Sequence, residues 1–288
     1  MTFLPELLLQ ILHAVSALVL TSMGLAVTFG MMRVINFAHG EFLMLGGFVM
    51  IFAVRAGANF WVAMFIIAPL SLAAFGLVVE RLLIRPLYGR ILDSMLATWG
   101  LSLTLIGLTS TFFGYSQKGL PTPLGSFELF GHGQSYYNVF IIVITFALVI
   151  ALYAFLRKTT FGLLARGTMQ NAQMASAIGV NPHAIYAATF ALGAGLAGFA
   201  GAVMAPMTGV VPITGLSYIT QAFITVITGG ANALTGTVAA AALFGLIEQG
   251  VNVFGNAVFG QAAMLATAIV LLRLMPAGIT GRFFRGSL

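Results

Sequence analysis

The sequence contains no cysteine. That excludes a disulfide framework, thiol catalysis and a thiolate metal site. Charge is nearly as scarce. Only 6% of the 288 residues are Asp, Glu, Lys or Arg, against roughly 25% in a soluble globular chain. Residues 167–247 carry no formal charge at all. A chain so poor in charge cannot cover its surface in water, and that stretch alone has room for three spans of roughly 20 residues. Other chemistry is missing too. Lys118 and Lys158 lack the Gly-Lys-Ser/Thr setting of a phosphate-binding loop, and neither HExxH nor Gly-x-Ser-x-Gly occurs. Neither is there a series of buried acids suited to proton coupling. His39 and His132 have no metal-ligand spacing, so no metal site is expected.

What the chain does have is apolar: 60% of its residues are hydrophobic and 34 are glycine. Glycine is commoner in membrane helices than in soluble ones. Apolar segments run over 8–32, 37–54, 59–82, 95–116, 138–156, 184–205, 217–230, 233–254 and 260–275. The expected fold is all-α: one polytopic helical bundle over 1–288 with about eight or nine spanning or re-entrant segments. Segment 37–54 follows a polar cluster, and 217–230 is short and ends in two glycines, so either is a candidate broken or re-entrant helix. The N-terminus carries Glu6 in place of the basic region of a secretory signal, so the first segment is expected to be retained.

The formal charge of +6 would suggest nucleic acid in a soluble protein. Here the basic residues sit at the ends of apolar segments and read as topology. Arg33, Arg81, Arg85, Arg90, Arg157, Lys158, Arg166, Arg273, Arg282 and Arg285 all fall on one side of a nine-span path, leaving only Arg55 and Lys118. That side is the cytoplasm. The C-terminus is then cytoplasmic, and 117–137, rich in Gly and Pro, is an irregular external loop. In 184–205, Ala194, Gly198 and Ala202 share one helix face and Gly193, Ala197 and Gly201 the next. Small residues at this spacing place the helix inside a bundle or at a subunit contact.

Three places attract a functional reading. The first is the polar cluster of Asn36, His39, Gly40 and Glu41. Asn36 suits an N-cap and Glu41 a helix start, so a discontinuous helix could begin here beside a solute path. The same residues could equally hydrogen-bond neighbouring helices at the interface. The second is the break containing Gly229, Gly230 and Asn232. Breaks in corresponding positions of two halves point to a midplane site, whereas Asn and Gly are also standard turn residues. The third is the loop 157–183, in which 167–178 forms a short helix with an apolar side, stopped by Gly179 and Pro182. Such a helix could lie on the membrane, dock into a partner's groove, or simply connect two spans. Glu80 and Arg81 are expected at the interface with side chains reaching water. Glu248 and Gln249 are expected near an outer membrane end, and His13 and His183 to be ordinary satisfied histidines.

RVINFAHGEFLMLGGF (33–48) resembles the signature of the branched-chain amino acid permease subunits of bacterial ATP-binding-cassette importers. Further matches follow in order: ERLLIRPLYGR (80–90), LATWGLSL (96–103), FGLLARGTMQNAQMASAIGV (161–180), YAATFALGAGLAGFAGAVMAP (186–206) and VITGGANALTGT (226–237). The resemblance covers nearly the whole chain. It implies a multi-pass permease of the bacterial inner membrane that pairs with a second, homologous permease. Two cytoplasmic ATPase subunits and a periplasmic or extracellular solute-binding protein would complete the importer. No cofactor is implied in this chain, ATP and Mg being used by the ATPases. The loop would be the coupling element, carried by Arg166, Asn171, Ala172, Ala175, Ser176 and Gly179. Residues 168–171 also resemble the version in urea and short-chain amide permeases, and 275–279 departs from the Arg-Pro-x-Gly-Leu usual in the family. The implied function is passage of branched-chain amino acids, with urea or an amide as the alternative solute. A self-sufficient secondary transporter or channel is the rival of another class, and the charge-free 167–247 argues against it.

Overall fold

A computed structural model of the chain describes residues 3–129, 132–230 and 232–283. Ala231 of the second break and Arg285 of the C-terminal basic group lie outside them. The elements in chain order are α1 (Phe3–Met32), α2 (His39–Arg55), α3 (Phe60–Leu87), α4 (Ile91–Phe113), β1 (Ser126–Leu129), β2 (His132–Ser135), α5 (Tyr136–Lys158), α6 (Thr160–Gln170), α7 (Ala172–Ala177), α8 (Pro182–Thr208), α9 (Thr214–Gly229), α10 (Ala233–Asn252), α11 (Ala257–Leu274) and α12 (Gly278–Phe283). Seven helices among the described residues are long and apolar enough to cross a membrane. Neither α2, with 17 residues, nor α9, with 16, is among them.

Helices dominate because backbone groups in lipid find no water and must pair within their own segment. Asparagine punctuates them. Asn59, Asn181 and Asn256 each accept a hydrogen bond from an amide of the following first turn, and Pro182 occupies the tolerant first position of α8. α3 is one helix interrupted by two π-turns, Ala63–Ile67 and Glu80–Ile84. The region expected to be an irregular external loop holds an antiparallel hairpin, β1 with β2, pairing Ser126 with Ser135 and Glu128 with Gly133. Its period-two pattern is too short to stand out beside the Gly and Pro signals.

The chain divides into two compact units, each drawn from separate stretches. The unit of Met23–Leu120 and Ala151–Thr220 is built around α8. The small residues of α8 meet backbone directly: Gly193 lies against Gly24 of α1, Gly201 against Leu43 and Gly198 against Gly46 of α2, and Ala194 against Gly76 of α3. The expected small-residue faces are therefore real contacts. They let α2 and α3 approach α8 so closely that a methyl group would not fit. Phe42 packs edge-on to Phe75 and Phe190, with ring centroids 5.5 and 6.1 Å away. Phe48, Phe52 and Phe113 close one end of this core over Met44, Ala205 and Val210.

The second unit comprises Met1–Ser22, Pro121–Ile150 and Gln221–Leu288. Here α10 packs on α11, Gly245 sits against Val15 of α1, and Tyr137 is fully buried. Gln249 donates to Gln10 at 2.9 Å, and Glu6 accepts from Gln10 and Gln134 at 3.3 and 3.4 Å. Gln249 is thus bonded to α1. His13, expected to be satisfied, has a buried Nε2 without a partner.

Candidate functional site

The polar cluster of the first break is assembled in the unit built on α8. α1 ends at Met32, and Arg33 takes a left-handed conformation (φ 52°), which turns the chain out of the helix. Residues 33–38 then run back without helical structure. Thr98 of α4 holds them: its hydroxyl accepts from the Phe37 amide at 3.1 Å and lies 3.4 Å from the Ile35 carbonyl. The fully buried Asn36 side chain accepts from the Ala38 amide at 3.0 Å. Asn36 was expected to be the N-cap itself. The cap position is occupied by Ala38, and Asn36 shapes the turn before it.

α2 therefore begins well inside the unit. A methyl at Gly24 would lie 3.0 Å from the His39 ring and 3.1 Å from the Ala197 amide. Gly24 is eight residues before the end of α1, or about 12 Å of helix at 1.5 Å per residue. Ala197 is eleven residues before the end of α8, about 17 Å by the same measure. The start of α2 is thus beside the interior of two helices long enough to span.

A second helix begins at the same place. α8 stops where Gly209 (φ 64°) releases the chain, and 209–213 form the return segment. Paired backbone bonds between Val210 and Lys118, 2.7 and 3.0 Å, fix its outer end. Pro212 and Ile213 then turn the chain, with the Thr214 amide donating to the Val211 carbonyl and the Val211 amide to the Thr214 hydroxyl, both at 2.9 Å. α9 then starts at Thr214, and Gly215 touches Gly40 backbone to backbone, with no room for a methyl on either. Beside this contact is Glu41. It is fully buried, and a methyl on Gly215 would stand 2.9 Å from its Oε1. Two helix starts thus converge on one buried carboxylate.

The other break has a different character. Gly229 and Gly236 pack backbone on backbone, and Gly230 (φ 85°) packs on Gly278 of α12. The Thr280 hydroxyl donates to the Gly229 carbonyl at 2.6 Å and accepts from the Asn232 amide at 3.1 Å. The Asn232 side chain makes no cap bond. This is a turn clasped by a following helix. The segment that leads to the first break is 209–213, which none of the sequence motifs above covers. Gly209, Pro212 and Gly215 were the available signals.

The loop 157–183 differs from the expected single helix over 167–178. It holds α6 and α7, separated at Asn171, whose side chain caps α7 through the Met174 amide at 2.9 Å. The Arg166 guanidinium donates to the Leu156 carbonyl, and Gly162 lies against the same carbonyl, folding α6 back on α5. Ala175 is buried and Ala172 half-buried, whereas Ser176, Gly179, Met174 and Ile178 are exposed. Gly179 (φ 89°) ends the turn, with the Val180 amide bonded to the Ala175 carbonyl. The outward apolar surface of α7 is Met174 and Ile178; Ala175 points inward.

The chain matches the family described as the branched-chain amino acid transport system / permease component over residues 7–275. The chain belongs to this family. Among its relatives, the high-affinity branched-chain amino acid transport system permease protein LivH of Escherichia coli K12 is 27% identical, covering 93% of this chain and 92% of LivH. BraD of Pseudomonas aeruginosa, named for the same kind of system, is 28% identical over 93% of this chain and 92% of its own. A probable LivH of Methanocaldococcus jannaschii is 28% identical over 92% and 88%. No solved structure matches the chain.

In this permease the end of the loop is tied to α3. Glu80 was expected to reach water, but it is fully buried in the second π-turn. The Tyr88 hydroxyl donates to Glu80 Oε1 at 2.5 Å, and Arg85 Nε lies 3.9 Å from the same oxygen. Burial, then the bond and charge of Glu80, raise the Tyr88 phenol above its ordinary range. The Tyr88 ring stacks on His183 and tilts against Tyr186, with centroids 6.0 and 4.9 Å away. His183 and Tyr186 open α8, immediately after the loop. Arg81, as expected, is exposed.

Proposed function

We propose that this chain is the permease subunit of an ATP-driven importer of branched-chain amino acids. The observation that carries the reading is the family match along almost the whole chain, with relatives named for that transport. The chain works as a multi-pass protein of the bacterial plasma membrane, with 83–94, 157–183 and the C-terminus in the cytoplasm and 117–137 outside. A second, homologous permease completes the membrane path. Two ATPase subunits bind and hydrolyse ATP, and an external binding protein delivers the solute.

In this reading α7 is the docking element, presenting Met174 and Ile178 to a groove of the ATPase. The stack of Tyr88 on His183 and Tyr186 passes displacement of the loop to α3 and α8. The path runs by the junction of α2 and α9. The test is reconstitution of the complete importer in liposomes. L-Leucine uptake must require ATP and the binding protein, and Met174→Glu with Ile178→Glu must abolish co-purification with the ATPase while the permease stays folded. Uptake by the permease alone would support a secondary transporter. Uptake of urea or acetamide in place of leucine would move the solute to the amide class.

A further inference from the structure

Glu41 and Glu80 are the two fully buried acids among the described residues, and only one is neutralised. Glu80 has Tyr88 and Arg85. Glu41 has only the buried Ser102 hydroxyl and its own backbone beside it, and among the described residues it forms no ion pair. Leaving one buried charge uncompensated is strongly destabilising, so such a group persists where something comes to meet it. The surroundings of Glu41 are equally specific. The starts of α2 and α9 meet there through Gly40 and Gly215. First-turn amides have no partner within their own helix, and each helix start carries about half a positive charge. Two such ends favour one carboxylate.

An α-amino acid carries both complements: an ammonium for a carboxylate and a carboxylate for helix amides. We propose that Glu41 receives the α-ammonium group of the passing amino acid, and that the starts of α2 and α9 receive its carboxylate. Until the solute arrives, Glu41 is buried beside the two helix starts without a cation, and the touching glycines keep those starts closed on each other. Parting the glycines exposes the backbone at Gly40 and Gly215, the amides of His39, Thr214 and Leu216 being already bonded to the Asn36, Val211 and Ile213 carbonyls. A zwitterion then satisfies both kinds of group at once, whereas an anion without the ammonium leaves Glu41 unpaired. This inference rests on the amino-acid reading above.

The experiment uses the complete importer in liposomes, with L-leucine as probe and Glu41→Gln and Glu41→Asp compared with the native permease. Glutamine keeps size and polarity but removes the charge; aspartate keeps the charge. The expected result is at least a ten-fold loss of leucine uptake for Glu41→Gln. Thermal stability is not lowered, since a buried charge without a cation is removed, and Glu41→Asp retains clearly more uptake than Glu41→Gln. Native uptake by Glu41→Gln overturns the proposal and leaves the amino-acid reading standing. Joint loss of uptake, stimulated hydrolysis and thermal stability in Glu41→Gln, unrelieved by aspartate, makes the carboxylate structural and also overturns it. If the native importer moves acetamide or urea and not leucine, the amino-acid reading itself fails and takes the proposal with it.

Discussion

Two glycine pairs in this permease look alike in sequence and in contact, yet their surroundings differ. Gly229 and Gly236 touch in a turn whose backbone is answered by Thr280, which serves both the Gly229 carbonyl and the Asn232 amide. The Thr228 hydroxyl is the buried side-chain atom left over nearby. Gly40 and Gly215 touch where two helices begin, and beside them is a buried carboxylate that forms no ion pair among the described residues. A missing hydroxyl bond costs about 1–3 kcal/mol, an unanswered charge more. Close glycine packing alone therefore does not mark a transport site. Under the proposal above, the separating criterion is whether the polar groups around the contact have been satisfied within the chain.

The largest expected effect comes from filling each contact. Gly40→Val places side-chain atoms on the Gly215 carbonyl, and Gly236→Val places them on Gly229. Overpacking of this kind costs typically 1–3 kcal/mol, so both variants should lose thermal stability. They should part in transport. Gly40→Val should lower leucine uptake per folded molecule by about 100-fold, since the helix starts can no longer meet or part as in the native protein; a ten-fold loss in rate already corresponds to 1.4 kcal/mol. Gly236→Val should keep uptake within about two-fold of native when normalised to folded protein, a change of under 0.5 kcal/mol. Equal losses in the two variants would erase the distinction.

A smaller effect is expected at the clasp. Thr280→Val removes a hydroxyl that both donates and accepts, leaving a buried carbonyl and an amide without their partner. The expected cost is about 1–3 kcal/mol of stability. Uptake per folded molecule should not change. Scanning calorimetry beside uptake on the same preparation checks both halves. A transport defect without loss of stability would move the second break back among candidate path residues.

Much of this was legible in the sequence, for identifiable reasons. Charge scarcity and long apolar runs fix a helical membrane protein, because lipid permits few other structures. The four-residue spacing of Gly and Ala in α8 by itself indicates close helix packing. Segments 37–54 and 217–230 stood out by length and flanks. The pairing of the breaks was not legible. Gly229, Gly230 and Asn232 supply the stronger turn composition, whereas 209–213 lies between two apolar segments with only Gly209 and Pro212 to mark it. Only the tertiary contact of Gly215 with Gly40 joins them. Burial of Glu80 was hidden likewise, since its partner Tyr88 lies beyond a π-turn that no simple periodicity anticipates. In the loop, apolar spacing suggested one helix, but Asn171 competes with helix continuation by capping the next turn and divides it. That division turns Ala175 inward.

The smallest expected effect separates two asparagines that sequence places in the same role. Asn36 and Asn232 each precede a helix at a break, and each is a standard capping residue. Asn36 is fully buried and accepts from the Ala38 amide at 3.0 Å, within the segment that Thr98 secures ahead of α2. Asn36→Ala removes that acceptor and leaves a buried amide without it. The expected cost is about 1 kcal/mol, in the usual range of 0.5–2 for losing such a bond near a helix start. Because the same segment positions His39, Gly40 and Glu41, leucine uptake should fall as well, by about 3- to 10-fold, or roughly 0.6–1.4 kcal/mol in the rate. Asn232 occupies the cap position of α10, but its side chain makes no cap bond, and its amide is already met by Thr280. Asn232→Ala should therefore stay within about 0.5 kcal/mol of native, as for a substitution away from a structural feature. Thermal melts of the two variants side by side, with uptake measured on the same samples, decide the matter. A larger stability loss at Asn232 than at Asn36 would mean that composition, and not the bonds made, governs these starts, and the contrast between the two breaks would have to be abandoned.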